Sequence, residues 1–205
     1  MQKKIELPHV ITVSAAHLLH DIYSAFLAPI LPLLINKLGM TVFQAGLLDF
    51  IRRIPSLMNP LIGLMADKIS VRYFIIIAPA VTSVTMSLLG VAQHYILLVI
   101  LLFVAGISSA LFHVPAPVMI KHVSHDQIGK GMSYYMLGGE LARTLGPLVI
   151  LGAVSIWGLE GSYRLMPLGI IASILLFFQL RKIRISKDFS QSKEPNASKT
   201  FKKLI

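Results

Sequence analysis

The sequence predicts an all-α integral membrane protein of six transmembrane helices, and three observations predict it. The 205 residues are 55% hydrophobic and only 14% charged, whereas a soluble domain carries about 25% charged residues. Of the 28 charged residues, ten fall in residues 181–205, which leaves 18 for the first 180. Six mostly apolar stretches, each near the 20 residues that a bilayer crossing requires, follow one another at about 10–35, 43–66, 73–92, 96–120, 132–156 and 164–181. The mean hydropathy of +0.75 excludes intrinsic disorder, which needs low hydrophobicity. A membrane barrel would show ten-residue alternation, and none is present. The absence of cysteine excludes a disulfide framework and thiolate chemistry.

The first stretch follows Lys3 and Lys4 as a signal peptide would. It is longer than an h-region, and His17, His20 and Asp21 interrupt it, so it reads as a retained helix. Across the six stretches lie nine of the eleven prolines: Pro29, Pro32, Pro55, Pro60, Pro79, Pro115, Pro117, Pro147 and Pro167. Membrane helices tolerate proline because neighbouring helices re-satisfy the freed backbone groups. Placing the N-terminus inside puts Lys3, Lys4, Lys68, Arg72, Lys121, Lys130 and eight tail residues on the cytoplasmic side. Only Lys37 and Arg164 then lie outside, as the positive-inside rule demands. The expected organisation is a cytoplasmic N-terminus at 1–9, a six-helix membrane domain at 10–181 and a basic cytoplasmic tail at 182–205. That asymmetry accounts for the net charge of +10, and a nucleic-acid partner is not expected. The protein is expected in the plasma or inner membrane, multi-pass, in contact with lipid.

Ionisable groups inside a membrane are costly and face a bundle interior or an aqueous cavity. Three acids (Asp21, Asp49, Glu140) balance three arginines (Arg52, Arg53, Arg143) within the stretches, which predicts mutual pairing. His17, Asp21 and Ser24 share one face of the first helix, with His20 beside them. Asp49 precedes Arg52 and Arg53 by three and four residues, and Ser56, Asn59 and Gly63 continue the stripe. Asp49 reads equally as half of a structural ion pair. In the fourth stretch Gly106, Ser109, His113 and Pro117 form a weakly polar line, where His113 reads first as an interhelical hydrogen-bonder. The fifth pairs Glu140 with Arg143, while Gly138, Ala142 and Gly146 give a small-residue face for close helix approach.

His17-Leu18-Leu19-His20-Asp21 and His122-Val123-Ser124-His125-Asp126 both read H-x-x-H-D, a pattern resembling histidine boxes of di-iron membrane enzymes. One set lies deep in a helix and the other in a surface loop, so one metal centre cannot use both. Neither a metal site nor a cofactor is expected, and the protein is not read as an enzyme. No G-x-x-x-x-G-K phosphate loop is present, so ATP-driven pumping by this chain is unsupported.

Residues Gly63-Leu64-Met65-Ala66-Asp67-Lys68-Ile69-Ser70-Val71-Arg72 resemble the G-x-L-A-D-R-x-G-R-K/R loop between the second and third helices of the major facilitator superfamily. Gly63, Ala66, Asp67, Lys68 and Arg72 match, whereas Met65, Ser70 and Val71 depart. Gly138-Gly139 through Gly146-Pro147-Leu148 resembles the fifth-helix motif of drug and proton antiporters of that superfamily. Together with His17…Asp21 and Ser109…Phe112-His113, it looks most like the fosmidomycin-resistance branch. The resemblance covers residues 10–181 and implies one six-helix half of a twelve-helix fold, with a second half in the same chain, a separate chain or another copy. It also implies alternating access around a midplane site. The expected function is secondary transport, proton-coupled, of a small organic solute such as an anion or drug. Asp21 is the candidate proton carrier, with His17 and His20 as neighbours. Arg52, Arg53 and Arg143 suit an anion because a guanidinium binds carboxylate or phosphate bidentately. Asp49, His113 and Glu140 complete the candidate pathway. The alternatives are a truncated, non-transporting fragment or scaffold, and the histidine-box metalloenzyme.

Overall fold

The computed structural model describes residues 3–66 and 72–181. Nine α-helices lie within them: α1 (Leu7–Ser24), α2 (Leu27–Leu38), α3 (Val42–Arg53), α4 (Asn59–Ala66), α5 (Arg72–Ser87), α6 (Tyr95–His113), α7 (Pro115–Ser124), α8 (Ile128–Trp157) and α9 (Met166–Leu180). No strand occurs among the described residues. Asp67 and Lys68 of the loop motif lie outside the described residues, as does the tail from 182.

Proline sets some of the helix breaks, whereas Pro32, Pro79 and Pro147 lie inside continuous helices. A proline ring clashes with the carbonyl four residues before it. Pro29 and Pro117 therefore act on Ala25 and His113, and α1 stops at Ser24 and α6 at His113. Between α3 and α4, Ile54–Met58 tightens into a 3₁₀ turn that contains Pro55. Gly39 ends α2 in the left-handed region at φ 64°, which costs glycine nothing. Thr41 and Gln44 then start α3 with a reciprocal capping box.

Two ends of the molecule are identified by the contacts that tie loops together. At one end the Lys3 backbone N–H donates to Asp126, and Glu6 meets His125. There too Arg72 donates to the Arg181 carbonyl at 2.9 Å. At the other end Lys37 reaches both the Gly90 carbonyl and Glu160 at 2.8 Å, and the Tyr95 hydroxyl donates to the Gln44 carbonyl. The described helices run between these two ends. By length and composition, four stretches can cross a membrane: 7–38, 72–91, 95–157 and 160–180. The 63-residue stretch 95–157 takes in two of the six expected spans. The stretch 42–66 is absent from the four because Asp49, Arg52 and Arg53 lower its apolar character.

Two apolar clusters fill the bundle. One gathers Tyr23, Phe26, Ile30, Met86, Leu98 and Ile150, among others. The second gathers Val10, Val13, Ile75, Phe112, Met119 and Tyr135. Between them, along α1, α5, α6 and α8, the buried residues turn polar or small: His17, His20, Thr82, Ser108, Gly138 and Gly139. The small-residue face of α8 lies on α1. A Cβ at Gly138 would come 2.6 Å from the Ser14 carbonyl oxygen, and one at Gly146 would come 2.7 Å from Ala25. Ala142 is fully buried, and Pro147 continues inside the helix.

Gly146→Leu should therefore lower the thermal midpoint of the detergent-solubilised protein, at a cost of about 1–3 kcal/mol for forced overpacking. Gly152→Leu, where a Cβ meets nothing within 4 Å, should not. A second expectation concerns Glu6, whose carboxyl is held below its usual range by the hydrogen bond from His125. A depressed carboxylate stabilises the fold above its unfolded value and loses that contribution as pH falls through the folded value. The thermal midpoint should drop on acidification below about pH 4.3, the ordinary glutamate value, and Glu6→Gln should flatten that part of the profile.

Candidate functional site: a carboxylate between two imidazoles

Asp21 falls near the middle of the 32-residue stretch 7–38. One of its oxygens, Oδ2, lies 3.1 Å from His17 Nε2, one helical turn back. The other, Oδ1, lies 3.2 Å from Nε2 of His113 at the end of α6. His17 is clamped from its other side, where Nδ1 donates to the Tyr135 carbonyl at 2.8 Å. Its ring stacks on Tyr135 with centroids 3.9 Å apart. Gly139 makes room for it, since a Cβ there would come 2.6 Å from His17 Cε1. A carbonyl can only accept, so the Nδ1 hydrogen is fixed. A neutral His17 would then turn an Nε2 lone pair toward a carboxylate oxygen. Two electron-rich atoms at 3.1 Å require something electropositive between them.

His20 behaves differently. It is fully buried and stacks on Phe112, centroids 4.5 Å apart. Its Nδ1 sits 3.3 Å from Thr82 Oγ1. Ser108 Oγ donates to the Ala78 carbonyl and lies 2.8 Å from Thr82 Oγ1. Each hydroxyl has one hydrogen, so Thr82 donates to Ser108 and His20 Nδ1 donates to Thr82. His20 Nε2 has no hydrogen-bond partner among the described residues.

A cavity of about 250 Å³ opens beside this cluster, lined by Arg52, Arg53, Ser56, Asn59, Gly106, Ser109, Ala110 and His113. His113 thus belongs to the cavity wall and to the Asp21 contact at once. Arg52 is held by the Ser24 carbonyl at 3.0 Å and by Asp49 Oδ1 at 3.3 Å. Asp49 Oδ2 accepts from Arg53 Nε at 2.8 Å. Arg52 Nε and Asn59 Oδ1 are buried and carry no hydrogen bond among the described residues. Gly106 lets α6 press against the α3 terminus, because a Cβ there would run into the Arg52 carbonyl.

The candidate residues thus divide. His17, Asp21 and His113 converge, and Arg52 and Arg53 line the adjoining cavity. Asp49 is their ion-pair partner. Glu140 and Arg143 pair with each other at 3.0 Å, mostly exposed on α8, and neither lines the cavity. Gly63 lies in α4, where a Cβ would meet nothing within 4 Å. Sequence reasoning missed Tyr135, whose carbonyl orients His17, and the Thr82–Ser108 pair. Hydroxyls inside apolar helices were the available signal, but many such hydroxyls bond only their own helix, as Thr85 does.

Thr82→Val would strand the His20 donor in a dry interior, which costs about 1–3 kcal/mol. The variant should show a clearly lower thermal midpoint. Thr85→Val, which removes only a bond within α5, should shift it much less.

The model of the Major Facilitator Superfamily matches residues 13–204. The fosmidomycin resistance protein of Escherichia coli (strain K12) is 24% identical over 171 residues, covering 83% of this chain and 42% of the relative. An uncharacterized MFS-type transporter, YfnC, of Bacillus subtilis (strain 168) is 24% identical over 143 residues, covering 69% of this chain and 35% of the relative. The chain spans less than half the length of these curated relatives. With helices long and apolar enough to cross a membrane, no strand among the described residues and a family match over nearly its whole length, the chain belongs to the major facilitator superfamily.

Proposed function

We propose that this membrane transporter moves a small organic anion by alternating access, driven by protons. The observation that carries the reading is the shared wall. His113 lines the cavity with Arg52 and Arg53 and also touches Asp21, so an anion entering the cavity meets the same imidazole that faces the carboxylate. Arg52 has a buried Nε without a hydrogen-bond partner, a donor still available to a carboxylate or phosphate group. A proton is the simplest electropositive species between His17 Nε2 and Asp21 Oδ2. An anion drawing on His113 changes how that proton is held, which is the coupling. The resistance named for the Escherichia coli relative supports a drug-like molecule as cargo.

In this reading the chain forms six membrane spans and the unit works against a second six-helix unit, which supplies the facing wall of the cavity. The basic end, with Lys3, Arg72, Lys121 and Lys130, faces the cytoplasm of a cell whose plasma or inner membrane holds the protein. Asp67 and Lys68 serve as the conformational loop with Gly63 and Arg72.

The test is transport into proteoliposomes under an imposed pH gradient, with a panel of radiolabelled carboxylates, phosphate esters and phosphonates. Arg52→Ala should reduce uptake of the accepted anion at least about tenfold, the loss of one charge-assisted bond of about 1.5–3 kcal/mol. Asp21→Asn should abolish the response to the pH gradient while the protein still inserts. Wild-type rates in Asp21→Asn would contradict the coupling, and wild-type rates in Arg52→Ala would contradict the anion site.

A further inference from the structure

The same three side chains satisfy a second chemistry. His17 Nε2, Asp21 and His113 Nε2 offer one ligand atom each, all within 4.8 Å of one another. Ligands bound at about 2.0–2.1 Å lie about 2.8–3.0 Å apart at neighbouring octahedral positions and about 3.3–3.4 Å apart in tetrahedral geometry; His17 Nε2 lies 3.1 Å from Asp21 Oδ2 and His113 Nε2 lies 3.2 Å from Asp21 Oδ1, between these values. Asp21 Oδ1 is buried and has no aligned hydrogen-bond donor among the described residues, although His113 Nε2 is near. That separation fits two ligands of one ion as well as it fits an imidazole–carboxylate pair.

The surroundings match as well. A metal-bound histidine donates its other N–H to a carbonyl or carboxylate, which fixes the ring and directs the lone pair at the ion. His17 does this through Nδ1 to the Tyr135 carbonyl at 2.8 Å. His113 stands on the wall of the 250 Å³ cavity, which provides an entry path and room for water on the open coordination positions. The neighbouring Arg52 charge is offset by Asp49. His20 is not one of the three converging ligands; its Nδ1 is committed to Thr82 and its ring stacks on Phe112.

We propose that His17, Asp21 and His113 bind one divalent transition-metal ion of the borderline class, such as Zn²⁺ or Co²⁺. Two imidazoles and a carboxylate with open positions suit these ions, and the absence of thiolate disfavours Cu(I). On binding, His17 and His113 contribute neutral nitrogen and Asp21 an ionised carboxylate. The proton between His17 and Asp21 is released to solvent, so metal and proton compete for one site. The proposal stands on ligand geometry and does not depend on which solute the transporter carries.

The experiment uses the whole chain, purified in detergent with a tag that contains no histidine and stripped of metal by chelation. Co²⁺ is titrated and followed by its visible d–d absorption, then displaced with Zn²⁺. The expected result is one Co²⁺ per chain, displaced by Zn²⁺, with affinity at least about tenfold lower in His113→Gln. His113 is 37% exposed, so this variant should keep the fold, and monodisperse elution verifies it. His122→Gln, on the loop side of α7, should bind as the wild type does. No Co²⁺ absorption beyond that of the free ion, or an undiminished signal in His113→Gln, would overturn the proposal. Transport activity plays no part in the readout, so failure of metal binding and failure of anion transport are separately visible.

Discussion

A carboxylate in the middle of an apolar span has to be compensated, because a bare charge there costs about 3 kcal/mol even on permissive insertion scales. Much of the local architecture follows from how Asp21 meets that constraint. Its two oxygens face two imidazoles, one from its own helix and one from α6. The near imidazole is in turn braced by the Tyr135 carbonyl and stacked on the Tyr135 ring. That bracing requires α8 to come unusually close to α1, which is why Gly138, Gly139 and Gly146 stand where they do. Two apolar clusters flank the polar layer, and the cavity of about 250 Å³ opens it on the His113 side.

Helix periodicity made part of this visible in the sequence. His17 and Asp21 are one turn apart on one helix, so their contact needed only the helix itself. Asp49, Arg52 and Arg53 were legible for the same reason, and so was the pairing of Glu140 with Arg143. His113 was legible as a pathway residue and an interhelical hydrogen-bonder, but its meeting with Asp21 was not, because that contact depends on how α6 is rotated and where Pro117 stops it. Rotation about a helix axis is a tertiary property that a single sequence does not encode locally. His20 shows the converse arrangement. Adjacent to Asp21 in the chain, it points instead toward Thr82 and Phe112. Glu140 and Arg143 were grouped with the pathway because charged residues in a span usually face an interior, yet they lie on a mostly exposed face of α8.

The fold was legible at the level of its all-α membrane class, since apolar length and proline placement are local signals. Span count by composition was less sharp. The charges that make 42–66 interesting are the ones that lower its hydropathy, and a short turn at His125–Gln127 leaves α6 to α8 reading as one long apolar stretch. The cavity lies where these local rules are broken: the stretch that is least membrane-like by composition supplies Arg52, Arg53, Ser56 and Asn59 to its wall.

Whether Asp21 and His113 act as one unit is the claim on which both the transport and the metal readings rest. A double-mutant cycle tests it most directly, using Asp21→Asn, His113→Gln and the pair, with the thermal midpoint in detergent as readout. Groups that share one interaction are non-additive, whereas independent ones add. The account predicts that the double variant is no less stable than Asp21→Asn alone, because the partner of His113 is already gone. Destabilisation in the double variant equal to the sum of the two singles would show that the two residues do not interact, and would contradict the account.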